Sequence, residues 1–397
     1  MKATIRRIIF FISIVISPWP LVAQSDSCHL RISLLTCAPG EELYATFGHS
    51  ALRVYDTVSN EDVIYNYGTF NFGEPGFYTK FIRGKLLYYL STSDFNSFTA
   101  SYVVEKREIT EQVLNLDCSE KRKILQVIFE NLLEKNRFYK YDFLFDNCTT
   151  RLRDLVEKSA KENIHYGKAV PANTTFRNLI YEYLDYNHED WSKLGIDLLL
   201  GSKTDRVMSE RETMFLPDYL LKTFDSTHKG IHPLVTAKTG IYQPGTLSAP
   251  GNSISPLMVF SILFILVAAL SFSKNRITTQ ILAGFDGFVF FITGMLGFLM
   301  LFMWFGTDHI MCSNNYNLAW ALPTHIIASF YMYSRKKMIK YYFRLTAMIN
   351  LLLIILWFIL PQAFNISLIP FVIMLITRSL VHAGIVISHG QVYHQEL

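Results

Sequence analysis

Residues 47–54 read FGHSALRV, in which a glycine turn leads a histidine, His49, into the start of a β-strand. A second stretch, residues 146–152, reads DNCTTRL and is typical of a capped helix that begins at Cys148. A histidine on a strand and a later cysteine at a helix start indicate a thiol nucleophile and its base. Together the two stretches predict the centre of the fold and a candidate active site.

The region around His49 is predicted to be rich in β-strands. Ser50–Asp56 and Asp62–Tyr67 flank a turn at residues 57–61 and predict a β-hairpin. Turn residues at 71–76 predict a loop. Further short runs of strand-like composition are Leu86–Ser91, Ser101–Arg107 and Thr110–Leu116.

Helices are predicted beyond the strands. Ser119 is expected to cap a helix that ends near Asn136, with one apolar face made of Ile124, Val127, Ile128, Leu132 and Leu133. Another helix begins at Cys148, and a third spans Thr175–Asn187. These elements predict an α+β domain over residues 25–250, with its core at 30–165. A linker rich in Pro, Gly and Ser follows at residues 241–255.

The first 24 residues have the composition of a secretory signal peptide. Lys2, Arg6 and Arg7 precede an apolar run at residues 8–17, and small residues follow around Ala23. An uncleaved anchor helix is the alternative, but the run is short for one. We therefore expect the α+β domain to lie outside the cytoplasm.

The C-terminal part of the chain predicts a transmembrane domain, residues 251–390, of about five helices. Lys and Arg occur in the loops near residues 274–276 and 335–340, whereas the loops at 306–317 and 361–365 carry neither. By the positive-inside rule, the latter two loops lie on the outer side, with the α+β domain. The apolar segments are residues 255–273, 281–305, 318–333, 343–360 and 366–388.

Composition limits the other possible functions. The net charge is only +4, and no basic stripe with interleaved aromatic residues occurs, so nucleic-acid binding is not expected.

In an oxidising compartment, Cys28, Cys37 and Cys118 are expected to supply one disulfide, with the pairing left open. Cys148 is the cysteine with a reason to stay reduced.

Cys148 is the candidate nucleophile because a thiolate is favoured at a helix N-terminus and beside an imidazole. Asn147 is a strong N-cap residue type, so it is expected to hold the helix start. A small buried structural cysteine is the alternative interpretation. The same two readings, structural or catalytic, apply to His49 at the start of its strand.

A histidine base also needs a partner that fixes its tautomer. Arg53 lies on the same strand face as His49, while the paired strand offers Asn66 and the next loop Asn71. A register shift of one residue would turn Asn66 to the other face. The orienting residue is therefore left open, with Asn66, Asn147 and Arg53 as candidates.

Polar residues of the outer loop are candidates for contact with a lipid headgroup. They are Asp308, His309, Asn315 and Asn317, and simple solvation is the alternative. Asp308 and His309 lack further ligands at known spacing, so no metal site is predicted. Arg378 and His382, four residues apart in the last apolar segment, are interpreted as interhelical hydrogen-bond partners rather than substrate contacts.

Several motifs together resemble the Lnb family of two-domain membrane proteins. They are residues 47–54 (FGHSALRV), 67–70 (YGTF), 80–86 (KFIRGKL), 146–151 (DNCTTR), 308–309 (DH) and 315–323 (NYNLAWALP). The resemblance covers nearly the whole chain. It implies a lipoprotein N-acyltransferase of the inner membrane of Gram-negative bacteria, with its catalytic domain in the periplasm and no cofactor.

The order of histidine before cysteine resembles, more distantly, circularly permuted papain-like enzymes that take acyl chains from phospholipids. It implies a Cys148 acyl-enzyme with His49 as base, a membrane phospholipid as donor and a lipoprotein N-terminus as acceptor. Two other functions stay open: a periplasmic cysteine amidase or peptidase acting on the cell wall, and a non-catalytic chaperone for secreted proteins.

Overall fold

The computed structural model describes residues 28–40, 42–186, 188–244, 254–334 and 336–386. Its N-terminal domain is built on an antiparallel sheet of seven strands, in the order β10-β5-β1-β2-β3-β4-β6. The strands are β1 (Leu30–Cys37), β2 (His49–Asp56), β3 (Asp62–Thr69), β4 (Leu87–Asp94), β5 (Ile109–Leu114), β6 (Phe138–Lys140) and β10 (Val235–Tyr242). A second small sheet contains β7 (Ile164–His165), β8 (His228–Lys229) and β9 (His232–Pro233).

Nine α-helices of the described residues belong to this domain. They are α1 (Phe77–Ile82), α2 (Phe95–Val104), α3 (Cys118–Leu132), α4 (Glu134–Arg137), α5 (Cys148–Ser159), α6 (Phe176–Tyr186), α7 (Asp190–Leu199), α8 (Glu210–Thr213) and α9 (Pro217–Asp225). The predicted mixture of sheet and helices is therefore confirmed.

The two faces of the sheet are covered by different helices because side chains alternate along each strand. Leu52 and Tyr65 point to the face packed by α3, α5 and α9. Ala51 and Ile64 point to the opposite face, where they meet Phe98 of α2. Leu52 pairs with Tyr65 across the β2–β3 hairpin, which confirms the predicted hairpin.

Two predictions for this domain are wrong. Ser101–Arg107 is not a strand: it falls largely within α2, which Asp94 caps by accepting a hydrogen bond from the Ser97 backbone. The cap of α3 is Asp117 rather than Ser119, because the Asp117 carboxylate accepts from the first turn and Glu120 completes the capping box.

The expected disulfide is also absent from the described part of the chain, where Cys28, Cys37 and Cys118 are all thiols. Cys37 is fully buried at the end of β1, opposite His49 in the sheet. The predicted signal peptide lies outside the described residues. So does most of the predicted linker, although its first residues, Ile241 and Tyr242, complete β10.

The C-terminal part is a bundle of apolar helices, as predicted. The helices are α10 (Pro256–Ser271), α11 (Arg276–Phe305), α12 (His325–Tyr331), α13 (Lys337–Ile355) and α14 (Leu368–His382). Of the described helices, α11 and α13 are long and apolar enough to cross a membrane, and α10 and α14 are shorter apolar helices. The third predicted segment is shortened because a 3₁₀ turn, Tyr316–Ala319, and Pro323 precede α12.

A buried ion cluster ties two helices of this bundle together. Arg378 makes two hydrogen bonds of 2.6 and 2.8 Å to Asp286 of α11, and His382 Nε2 lies 2.8 Å from the same carboxylate. Charged groups in an apolar bundle are costly unless they are paired. Arg378 and His382 are thus interhelical partners, which is the interpretation that their spacing favoured.

The two domains meet at an interdomain joint, defined as residues 197–202 of the N-terminal domain with residues 311–317, 362 and 365. The Gly201 backbone N–H donates to Met311 O, and the Ser202 N–H donates to Asn314 O. Side-chain amides of the bundle also donate to the carbonyls of this segment, including Gln362 to Leu200 O. The joint combines these two backbone–backbone hydrogen bonds with side-chain amides that bind main-chain carbonyls, so its geometry is specific.

We predict that Gly201→Ala will loosen the joint. A Cβ at Gly201 would lie 1.9 Å from Ser313 O, so one of the two chains has to move. We expect the free energy of unfolding to fall by about 1–3 kcal/mol or more, the usual cost of overpacking. The apparent melting temperature of the purified protein, followed by intrinsic fluorescence, measures the effect.

Gly195→Ala is the matched control for that variant. Gly195 lies in α7, and a Cβ there meets nothing within 4 Å. Alanine in a helix interior is more favourable than glycine by roughly 0.5–1 kcal/mol, so this variant should melt at the same or a higher temperature. Equal melting temperatures for the two variants would contradict the tight joint.

Candidate active site

Cys148 and His49 lie together at one end of the β2–β3 hairpin. Cys148 is the first residue of α5, and His49 is the first residue of β2. The His49 imidazole and the Cys148 thiol face each other closely enough that each shifts the pKa of the other. The structure therefore brings together the two residues that the sequence singled out.

His49 is positioned by the turn before it. Gly48 has a φ of +75°, and a Cβ there would lie 2.6 Å from Cys37 O. This position accepts only glycine without strain. The turn places His49 opposite Cys37, so that β2 begins in register with the end of β1.

Cys148 is positioned by the cap of its helix. The Asn147 side-chain oxygen accepts hydrogen bonds of 2.8 Å from the backbone N–H groups of Thr149 and Thr150. Its amide nitrogen donates to Phe143 O and Phe215 O, which fixes the cap against two other segments. Asn147 is thus a cap that supports the thiol and does not orient His49.

The environment of Cys148 favours the thiolate. Burial by itself would raise the pKa of the thiol, but the charge of His49 and hydrogen bonds from His49, the Ser50 backbone and Thr149 lower the pKa to about 7. Burial would likewise lower the pKa of His49, but the facing thiolate and hydrogen bonds to Cys148 and Asn66 raise it above its ordinary value. A thiolate–imidazolium pair near neutral pH follows from these opposing effects.

Asn66 fixes the tautomer of His49. The His49 Nε2 atom lies 3.3 Å from Asn66 Oδ1, and the Asn66 amide nitrogen is directed at Ser93 Oγ. An amide oxygen only accepts, so Nε2 carries the hydrogen of this bond. The other ring nitrogen, Nδ1, is then left to exchange a proton with the thiol.

Asn66→Ala is predicted to lower turnover by roughly 10- to 100-fold while leaving KM nearly unchanged, because the imidazole loses the partner that orients it. Asn66→Asp keeps the acceptor and adds a charge that raises the pKa of His49. It should recover much of the turnover and move the pH profile upward. Steady-state rates of both variants between pH 5 and pH 10 test this positioning role, and an Asn66→Ala variant with an unchanged rate would contradict it.

The sequence interpretation missed two groups that touch the thiol. Thr149 Oγ1 lies 3.7 Å from Cys148 Sγ and 3.1 Å from Ser50 Oγ. The Ser50 backbone N–H lies near enough to the sulfur to lower the pKa of the thiol. Ser50 follows His49 and Thr149 follows Cys148 in the sequence, and this adjacency was the available signal that they belong to the site.

Arg53 is not part of the site. Its guanidinium binds Asp62 through hydrogen bonds of 2.6 and 2.8 Å and Glu111 at 3.1 Å, and it lies 3.5 Å above the Phe95 ring. These contacts occupy the guanidinium four residues further along β2 than His49. Asn71, the remaining alternative, accepts from the Gly73 backbone within its own turn.

The residues predicted to contact lipid fall into two groups. Asn315 and Asn317 are buried in the interdomain joint, where they donate to Leu198 O and Asp197 O. They hold the domains together, so the prediction of a lipid contact is wrong for both.

Among the described residues, no three His, Cys, Asp or Glu side chains converge on a metal site.

Asp308 and His309, in contrast, face the N-terminal domain near its surface. The Asp308 carboxylate binds Lys140 at 2.9 Å, and its backbone N–H donates to Arg83 O. His309 Nε2 lies 3.2 Å from Phe81 O. This loop therefore contacts α1 and the strand β6, and its contact with a lipid stays a prediction.

Comparisons with known proteins place both parts of the chain in one family. Residues 19–182 match the model of the Lnb N-terminal periplasmic domain, and residues 248–389 match the model of the Lnb transmembrane domain. No curated protein and no solved structure matches the chain at a significant level. Together the two matches cover most of the sequence. The match to the periplasmic domain falls on the domain that mixes sheet and helices, and the match to the transmembrane domain falls on the apolar helical bundle. The chain therefore belongs to the Lnb family and is a membrane protein with a periplasmic domain.

Proposed function

We propose that this protein is a lipoprotein N-acyltransferase. It moves an acyl chain from a membrane phospholipid, through a thioester on Cys148, to the α-amine of diacylglyceryl-cysteine on lipoproteins. The observation that carries the reaction type is the buried Cys148–His49 pair, in which the pKa of the thiol is about 7. The classes of donor and acceptor rest on the resemblance to the Lnb family.

The first half-reaction is the acylation of Cys148. The thiolate attacks the ester carbonyl of the phospholipid, and a carbon–sulfur bond forms. The Ser50 backbone N–H and the N-terminus of α5 supply positive charge density for the oxyanion. The His49 imidazolium then gives its proton to the departing lysophospholipid oxygen as the carbon–oxygen bond breaks.

The second half-reaction transfers the acyl chain to the lipoprotein. The neutral α-amine attacks the thioester carbonyl, and His49, now neutral, accepts a proton from it as the amide bond forms. The carbon–sulfur bond breaks and Cys148 leaves as the thiolate. The thiolate–imidazolium pair is then restored for the next cycle.

A position at the outer face of the inner membrane agrees with this reaction, because both substrates are membrane lipids. The proposal places the helical bundle across the membrane several times, with Lys274 and Arg276 and the Lys336–Lys340 region in the cytoplasm. The periplasmic domain and the loop of Asp308 then share the outer side. The histidine strand that precedes the cysteine helix also supports a circularly permuted papain-like arrangement.

Deleting the protein from cells that carry it and sequencing lipoprotein N-termini by mass spectrometry tests the proposal. We expect lipoproteins to lose the amide-linked chain and to regain it when the wild-type protein is restored. Unchanged lipoproteins would overturn the proposal. Altered peptidoglycan fragments would then support a cell-wall amidase or peptidase, and loss of one secreted client without either change would support a chaperone.

A further inference from the structure

A continuous row of aromatic rings begins beside the thiol. The point where a Cβ on Gly68 would sit is 3.5 Å from both the Cys148 Cβ and an edge atom of Tyr141. The Tyr141 ring stacks on Tyr88 with 4.4 Å between centroids, and Tyr88 contacts Phe70 at 5.3 Å. Because Gly68 has no side chain, no Cβ occupies the point that lies 3.5 Å from both the Cys148 Cβ and the Tyr141 ring.

The same row continues to the protein surface. Phe70 contacts Phe72 at 4.9 Å and Phe77 at 5.9 Å, and Phe77 stacks on Phe81 at 6.1 Å. The outer members are exposed, with 62% of Phe72 and 49% of Phe81 accessible to solvent. We call these rings the aromatic row: Tyr141, Tyr88, Phe70, Phe72, Phe77 and Phe81.

The exposed end of the aromatic row lies at the level where the membrane bundle begins. Phe81 O is in contact with His309, and Arg83 O accepts from the Asp308 backbone. Asp308 follows Phe305, the last residue of α11, by three positions, and the Phe305 side chain is 72% exposed on that apolar helix. The exposed rings therefore stand beside the outer end of a helix whose surface is suited to lipid.

An exposed aromatic cluster at this place is suited to a membrane surface. Large apolar patches on a protein mark binding sites, and aromatic rings are favoured at the membrane–water interface. Tyr78 of α1 extends the patch and is 75% exposed. The cationic groups of Lys140, Lys85 and Arg83 lie close enough to lower the pKa of Asp308, and they offer partners for a lipid phosphate.

We propose that the aromatic row is the path of the acyl chain. Its exposed end, with Tyr78, dips into the outer leaflet, and the apolar tail of a membrane lipid lies along the rings with its carbonyl at Cys148. The inference rests on the proposed acyl transfer for its occupant. The contact between the exposed end of the row and the membrane does not depend on acyl transfer, so the two claims can be tested separately.

Membrane contact is tested on the full-length protein in phospholipid vesicles with the variant Tyr78→Trp. Lipids that carry bromine on their acyl chains should quench the added tryptophan fluorescence, measured as the difference from wild type. Val58→Trp is the matched control, because Val58 is also exposed but lies in the turn at the far end of the β2–β3 hairpin. Equal quenching of the two added tryptophans, or none at either position, would overturn the membrane contact.

The path itself is tested by acylation of Cys148, followed by intact mass. Phe72→Ser should slow acylation by long-chain phospholipid vesicles about 10-fold, because apolar contact with the tail is lost. Acylation by the small soluble ester p-nitrophenyl acetate should stay within about twofold of wild type, since no tail uses the row. Phe129→Ser, which removes an exposed ring from α3, should leave both rates unchanged.

Equal losses with both esters, or no loss with either, would overturn the path. A wild-type protein that reacts with p-nitrophenyl acetate but never with phospholipid would overturn the donor in the proposed function instead. The quenching result does not depend on Cys148 chemistry, so it separates the two failures.

Discussion

Cys148→Ala is expected to abolish the acyl adduct and to reduce acyl transfer by about 10³-fold or more, as removal of a covalent nucleophile does. The surroundings lower the pKa of this thiol to about 7, so about half of the Cys148 side chains are ionised at neutral pH. Cys148→Ser should be as inactive, because a hydroxyl stays protonated at that pH. Intact mass after incubation with phospholipid vesicles, together with the rate of transfer to a lipoprotein peptide, measures the effect.

Two other cysteines serve as internal controls for that prediction. Burial raises the pKa of Cys37 to about 12, and burial raises the pKa of Cys312 to about 11. Both thiols should therefore be slow to alkylate at pH 7, and Cys312→Ala should retain full acyl transfer. An adduct that persists in Cys148→Ala would identify another nucleophile and overturn the proposed role of Cys148.

The centre of the site could be predicted from the sequence because its signals are local. Asn147 lies directly before Cys148, and both a cap and the helix it opens are recognisable within a few residues. The position of Asn66 follows from the hairpin, since a short turn fixes the register of β2 against β3. One face of the hairpin then carries both His49 and Asn66.

The rest depended on contacts between distant residues, which the local pattern does not contain. Strand β10 pairs with β5 across more than a hundred residues, and no signal in either strand specifies that partner. Asn315 and Asn317 read as polar loop residues, yet the docking of α7 buries them.

Arg53 was placed correctly on the face of His49, but Asp62 and Glu111 bind it. Helix α2 has strand-like composition, and its cap and packing override that preference.

His49→Gln is expected to have the second largest effect, because it removes both the charge beside the thiol and the proton carrier. In the variant, burial still raises the pKa of Cys148, while the imidazolium that lowered it is gone. The pKa of the thiol should therefore rise from about 7 to 9 or above. At pH 7 the thiolate fraction then falls from about half to roughly 1% or less, so alkylation of Cys148 should slow about 50-fold.

Acyl transfer should fall further than alkylation, by about 10³-fold, since the leaving oxygen also loses its proton donor and the amine its base. The measurement is the rate of iodoacetamide modification of the Cys148 peptide between pH 5 and pH 10. His232→Gln, at an exposed histidine on β9, is the control and should match wild type at every pH. If the alkylation midpoint of His49→Gln stayed near pH 7, the helix N-terminus and the Ser50 N–H would be what lowers the pKa of the thiol. His49 would then act on the substrates alone, and the thiolate–imidazolium pair would no longer explain the ground state of the enzyme.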